Sequence, residues 1–174
     1  MQLKLAEATQ ILRQTPATVS AMVAGIPECW LKCTEGGGTW STYDVVGHLI
    51  HGELTDWIPR VRIILEHGEK QAFEPFDRSA QFREDQSRPI GALLDQFAFM
   101  RAENVAILQG LNLSPEDFVR RGTHPELGPV TLGQLISSWV VHDQSHISQM
   151  ARIIAKQYCH EVGPWQQYMS ILRA

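Results

Sequence analysis

The stretch Trp139-Val140-Val141-His142-Asp143-Gln144-Ser145-His146 carries two histidines four residues apart. On a helix this spacing points both rings the same way, with Cβ atoms roughly 6 Å apart and offset by about 40° around the axis. A third imidazole from a neighbouring helix would complete three-nitrogen coordination of a divalent ion. Three protein ligands with a fourth position open make a reactive metal site rather than a structural one. Leu135, Trp139, His142, His146, Gln149 or Met150, and Ile153 recur at spacings of three and four, so both rings face the core. Two uncoordinated imidazoles are costly there, because each ring needs partners for both nitrogens and a neutral ring donates only one hydrogen. Burial also holds them neutral, which is the ligand form.

The third imidazole has two candidates on one upstream helix, His48 and His51, and spacing does not choose between them. The carboxylates nearby read more simply. Asp44 suits a helix N-terminus, and Glu53 and Asp56 read as solvated helix surface. Asp143 is turned about 100° from His142, so it addresses another helix rather than the ion. Ser145 beside His146 is no triad, since adjacent helical residues diverge. His-Glu-x-x-His, Gly-x-Ser-x-Gly, phosphate-loop and dinucleotide patterns are all missing from the sequence. His67 and His160 stand near helix ends, and His124 lies in a Pro/Gly-rich excursion.

Four long helices must position these groups. The first spans residues 3–24, with Pro16 expected to kink or interrupt it. A linker with Gly25, Pro27 and Gly36–Gly38 follows. Ser41 caps a second helix that runs to about Gly68 and bends one turn before Pro59. Residues 69–86 are polar and irregular. Ser87 and Pro89 open a third helix that ends near Gly110. Residues 111–130 are turn-rich, with a tight excursion or small hairpin over 124–130. Thr131 caps the fourth helix, which runs to about Lys156, and a short helix follows Gly163-Pro164. No longer strand survives a period-two count, so the fold class is all-α, a helix bundle.

The 174 residues are most simply one domain, 1–174. Net charge is −4 and the basic residues are scattered, which excludes an electrostatic footprint for nucleic acid. No apolar run approaches the roughly 18–20 residues needed to span a bilayer. Met1-Gln2-Leu3-Lys4-Leu5-Ala6-Glu7 lacks the apolar stretch of a secretory leader. Cys29, Cys33 and Cys159 are too few and too odd in number for a disulfide framework; they fit small buried or half-buried residues in a cytoplasmic protein.

Taken together, the motifs resemble the DinB-like superfamily of small metal-binding helical bundles, which includes the YfiT-like proteins. The matching pieces are Trp40-Ser41-Thr42-Tyr43-Asp44-Val45-Val46-Gly47-His48-Leu49, His124-Pro125-Glu126-Leu127-Gly128, Thr131-Leu132-Gly133-Gln134-Leu135, and Trp139 through Gln149 with its His-Asp-x-x-His core. Gly163-Pro164-Trp165 also fits. The resemblance implies an up-down-down-up four-helix bundle with a long crossover, and a metal held by His48, His142 and His146, with His51 outside the ligand set. Relatives with known activity include thiol-dependent S-transferases and isomerases. The leading expectation is therefore a metal-dependent enzyme, a transferase that joins a small-molecule thiol to an electrophile. The alternatives are metal-assisted hydrolysis, with Asp44, Glu53 or His51 as base, and a non-catalytic metal-binding stress protein. Three neutral imidazoles suit zinc, nickel or iron, and bundles of this kind can pair as a homodimer.

Overall fold

A computed structural model of the chain describes residues 3–173; Met1 and Gln2, part of the stretch read above for a leader, and Ala174 lie outside the described residues. The helices are α1 (Leu5–Val23), a single-turn α2 (Glu28–Leu31), α3 (Thr42–Thr55), α4 (Trp57–Glu66), α5 (Ile90–Gly110) and α6 (Leu132–Lys156). One hairpin, β1 (Arg121–His124) and β2 (Gly128–Thr131), precedes α6. None of the described helices is long and apolar enough to cross a membrane.

The helix starts follow their caps. The Ser41 hydroxyl accepts the Asp44 N–H while the Asp44 carboxylate accepts the Ser41 N–H, and Thr131 and Gln134 repeat this capping box at α6. That fixes Asp44 as the helix cap its position suggests. Pro59 breaks the second predicted helix where expected: α3 ends at Thr55, and Asp56 (φ −105°, ψ −68°) joins it to α4.

Helix directions can be read from paired contacts. Tyr43 near the start of α3 reaches Arg88 just before α5, and Glu53 near its end reaches Arg101 on α5, so the two run parallel. On α1 and α5, Thr9 meets Gln109 while Leu12 meets Arg101, so these are antiparallel. Leu3 lies against Gly133 and Thr15 against Asp143, so α1 and α6 are parallel. The bundle is thus up-down-down-up, with residues 67–89 as the long crossover that two parallel neighbours require.

Two apolar clusters fill the bundle. One is built around Leu12, Trp57, Val61, Val105, Leu108, Ile136 and Trp139. The other holds Val19, Val46, Leu49, Phe97, Met150 and Ile153. Between them runs a polar waist to which each long helix sends one residue: Thr15, Glu53, Arg101 and Asp143. Each sits in the apolar register of its own helix, as in Phe97-Arg101-Val105, so each is turned inward.

Three expectations need correction. Pro16 does not interrupt α1; it is buried within a continuous helix. Its missing N–H frees the Leu12 carbonyl, four residues back, and Arg101 Nη1 takes that carbonyl at 2.9 Å. Glu53 and Asp56 are not solvated surface but buried, because each has a guanidinium partner. The C-terminal helix is a pair of 3-10 turns, Gly163–Tyr168 and Ser170–Leu172, and Trp165 and Tyr168 in the first are exposed.

Candidate metal centre

His48 lies one turn past the capping box of α3, and His142 and His146 lie one turn apart in mid-α6. Because α3 and α6 are antiparallel, the three rings meet. His48 Nε2 is 3.1 Å from His142 Nε2, which is 3.1 Å from His146 Nε2. The ligand atoms of these three residues all lie within 4.8 Å of one another. For metal–nitrogen bonds of roughly 2.0–2.1 Å at tetrahedral angles, the N···N edge is about 3.3 Å. The spacing therefore fits three ligands of one ion.

Hydrogen bonding points the same way. Each Nε2 offers either one hydrogen or one lone pair, so His142 Nε2 satisfies at most one of its two imidazole neighbours. A cation accepts all three lone pairs at once. His146 Nδ1 lies 2.8 Å from the Gln149 amide oxygen, which fixes the hydrogen on Nδ1 and leaves Nε2 free to ligate. Among the described residues, His48 Nδ1 and His142 Nδ1 are buried without hydrogen-bond partners; the Asp143 carboxylate lies 4.0 Å from His142 Nδ1. Burial, reinforced by the neighbouring imidazoles, lowers His48 to about 3. Burial also lowers His146 to about 4, helped by His142 and opposed by Gln149. At neutral pH both rings are in the ligand form.

Aromatic rings wall the cluster. Trp40 stacks over His146 at 6.1 Å and tilts against His48 at 4.7 Å. Phe76 meets His48 edge-on at 5.3 Å, and Trp57 meets His142 at 5.1 Å. On its open side the cluster faces a cavity of about 610 Å³. The crossover contributes Phe73, Phe76 and Arg78 to this cavity, the hairpin contributes His124, Leu127, Pro129 and Val130, and the start of α4 contributes Asp56, Trp57 and Arg60.

Among the lining residues the sole carboxylate is Asp56, whose Oδ1 pairs with Arg60 Nε at 2.5 Å. Burial raises Asp56 above the ordinary aspartate range, opposed by Arg60; burial lowers Arg60, opposed by Asp56. The three bases named from sequence are elsewhere. Asp44 is spent on its cap, Glu53 is locked to Arg101, and His51 turns to Thr55 and to Phe76 at 5.0 Å. His51 thus stays out of the cluster.

Asp143 addresses other helices, as its angle from His142 predicts. Its carboxylate takes Arg101 Nη1 at 2.5 Å and Nη2 at 3.0 Å, and the Thr15 hydroxyl at 2.7 Å. Glu53 takes Arg101 Nη2 at 2.6 Å and Asn104 at 3.0 Å. Sequence reading missed this cluster, though a charged residue in an apolar register at Arg101 was the available signal. The three cysteines are free and none belongs to the histidine cluster; Cys33 and Cys159 are half-buried, whereas Cys29 is exposed, against expectation.

Comparison with known proteins agrees with this fold. A protein of Oceanobacillus iheyensis named "Putative metal-dependent hydrolase" is 24% identical over 122 residues, covering 69% of this chain and 68% of the relative. The solved structure of YfiT from Bacillus subtilis, described as "a probable metal-dependent hydrolase with an unusual four-helix bundle topology", superposes with a TM-score of 0.76 at 22% identity. It covers 88% of this chain and 87% of its own. The family model of the DinB superfamily matches residues 11–150, most of the sequence. The chain belongs to the DinB superfamily.

Proposed function

We propose that this protein is a metal-dependent hydrolase of a small molecule, with His48, His142 and His146 as ligands and Asp56 as proton acceptor. The observation that carries this reading is the convergence of three Nε2 atoms on a cavity that also holds an inward-facing carboxylate. A divalent ion there supplies a Lewis acid and lowers the pKa of water toward about 7. The protein supplies the remainder. Gln149 orients His146, Trp40 and Trp57 shield the ligands from bulk water, and Asp56 receives the proton that water loses as its oxygen bonds to carbon. Arg60 holds that carboxylate in place. Burial raises the carboxylate's affinity for a proton, which suits an acceptor that must later return the proton to the leaving group.

The same ligands would serve a thiol S-transferase, but a thiol with a pKa near 8.5 needs little help to deprotonate at a metal and leaves Asp56 without a task. The relatives' names point to hydrolysis as well. Zinc, nickel and iron remain equivalent by ligand type.

The test uses protein purified without an affinity tag, its metal content measured, then loaded in turn with Zn(II), Ni(II) and anaerobic Fe(II). It is offered chromogenic esters, amides and lactones, alongside electrophiles with a panel of cellular thiols. Expected is hydrolysis that chelation and His142→Ala abolish and that Asp56→Asn slows by about 10²–10⁴-fold. Thiol conjugation without any hydrolysis overturns the proposal.

A further inference from the structure

His124 ends β1 opposite Gly128, and the turn between them folds back onto its ring. Nδ1 accepts the backbone N–H of Glu126 at 3.1 Å and of Leu127 at 3.2 Å. Backbone N–H groups only donate, so Nδ1 holds a lone pair and the single hydrogen of the neutral ring sits on Nε2. Nε2 has no hydrogen-bond partner among the described residues, and the ring lines the cavity shared by the three ligand histidines and Asp56. Burial, with Arg60 nearby, lowers the ring below the ordinary histidine range, so it stays neutral at pH 7.

Its support is rigid. The Phe73 N–H bonds the Thr123 carbonyl at 2.9 Å, which ties the crossover to β1, and the Phe73 ring meets His124 edge-on at 6.2 Å. At Gly122 an added Cβ would lie 2.7 Å from Ile64 and 3.0 Å from Phe73, so β1 presses directly on α4.

We infer that His124 is a catalytic hydrogen-bond donor whose Nε2–H receives the oxygen of a scissile ester or amide carbonyl; the inference rests on the hydrolase reading above. As the water oxygen bonds to the carbonyl carbon, the C=O π pair moves onto oxygen, and Nε2–H stabilises that charge without giving up its hydrogen. The water proton goes to Asp56. When the bond to the leaving group breaks, its electron pair leaves with that group, Asp56 returns the proton to it, and the carbonyl reforms. A neutral donor suits this place, because it adds no positive charge beside a dication and, holding its hydrogen on Nε2, does not compete with Asp56 as base.

Two isosteric substitutions separate the halves of the ring. In His124→Asn the amide oxygen can still accept the turn N–H groups, but no donor reaches the Nε2 position. In His124→Gln the amide nitrogen reaches it. On any ester the wild type hydrolyses, His124→Asn is expected to lose about 100-fold or more in kcat with little change in KM and an unchanged melting temperature, and His124→Gln to recover part of the loss. Long-range ¹H–¹⁵N NMR of the Zn-loaded wild type is expected to place the His124 hydrogen on Nε2. Acetate, used as a carboxylate probe, should bind His124→Asn about 10-fold more weakly than wild type or His124→Gln. A hydrogen on Nδ1, or equal acetate affinity in all three proteins, overturns the role of His124. If the wild type hydrolyses nothing, the hydrolase reading falls, and the acetate and NMR results still decide whether His124 is the donor.

Discussion

Two polar clusters share the middle of this bundle, and they are built to opposite rules. In the first, Arg101 gives Nε and Nη2 to Glu53, Nη1 and Nη2 to Asp143, and Nη1 also to the Leu12 carbonyl, while Thr15 and Asn104 close the remaining acceptors. In the second, His142 Nε2 faces two other nitrogens, and two Nδ1 atoms have no hydrogen-bond partner among the described residues, Asp143 standing 4.0 Å from that of His142. The clusters are neighbours in sequence: Asp143 follows His142, and Glu53 lies five residues after His48. Burial alone therefore does not mark a functional site. The saturated cluster holds helices together, and the unsaturated one gathers three imidazole nitrogens at a spacing that fits one ion.

Acid should separate the two most widely. In metal-free protein, His48 and His146 stay neutral down to about 3 and about 4, while unfolded histidines take protons near pH 6.5. The unfolded state then binds more protons, so stability falls as pH drops from about 6.5 towards 4 and 3, and is restored above 6.5. Each pKa unit is worth about 1.4 kcal/mol, which makes this the largest perturbation. Urea melts from pH 7 to 4 check it, and a His48→Ala/His146→Ala variant should show a flatter pH profile.

Next in size is Arg101→Met, which leaves Glu53 and Asp143 facing each other in the core and should cost about 3–5 kcal/mol. His142→Ala should leave the metal-free urea midpoint close to that of the wild type. Equal losses in the two variants would erase the contrast between the clusters.

Zinc should act on one cluster only. At a free concentration of 100 times its Kd it adds about 2.7 kcal/mol to the wild type, read as a rise in melting temperature, and nothing to His142→Ala. Gln149→Leu, which removes the acceptor for His146 Nδ1, should weaken zinc by about 10–100-fold in a chelator competition without altering the fold.

The smallest effect tests the link between Pro16 and Arg101. Pro16→Ala restores an N–H to the Leu12 carbonyl. It should stabilise the Arg101→Met protein more than the wild type, with a coupling of about 0.5–3 kcal/mol in a double-mutant cycle.

Much of this was legible in the sequence, for physical reasons. Ser41 and Thr131 announce their helices because capping is local, and Pro59 marks a break because its ring excludes the preceding turn. The inward direction of His142 and His146 and the divergence of Asp143 follow from helical geometry alone. The choice of His48 over His51, and the up-down-down-up order, came through family resemblance, since periodicity does not report which helices touch. Glu53 was misread because its partner Arg101 lies 48 residues away, and a charge looks solvated until its counter-charge is known. Pro16 was misread for the same reason: the group that takes the freed carbonyl is on α5. The hairpin has strands of only four residues with Gly122, Gly128 and Pro129 among them, too short and too irregular to show a period of two.

The three converging histidines are borne by bundle helices, whereas much of the chamber wall comes from the crossover and the hairpin, stitched together by Phe73 and Thr123. On the hydrolase proposal, chemistry and selectivity are thereby carried by separate pieces of chain. Exchanging residues 67–89 and 121–131 between relatives should transplant preference for one reactant over another while the reactive centre stays as it was. A scaffold divided in this way can diversify by swapping its upholstery and keeping its frame.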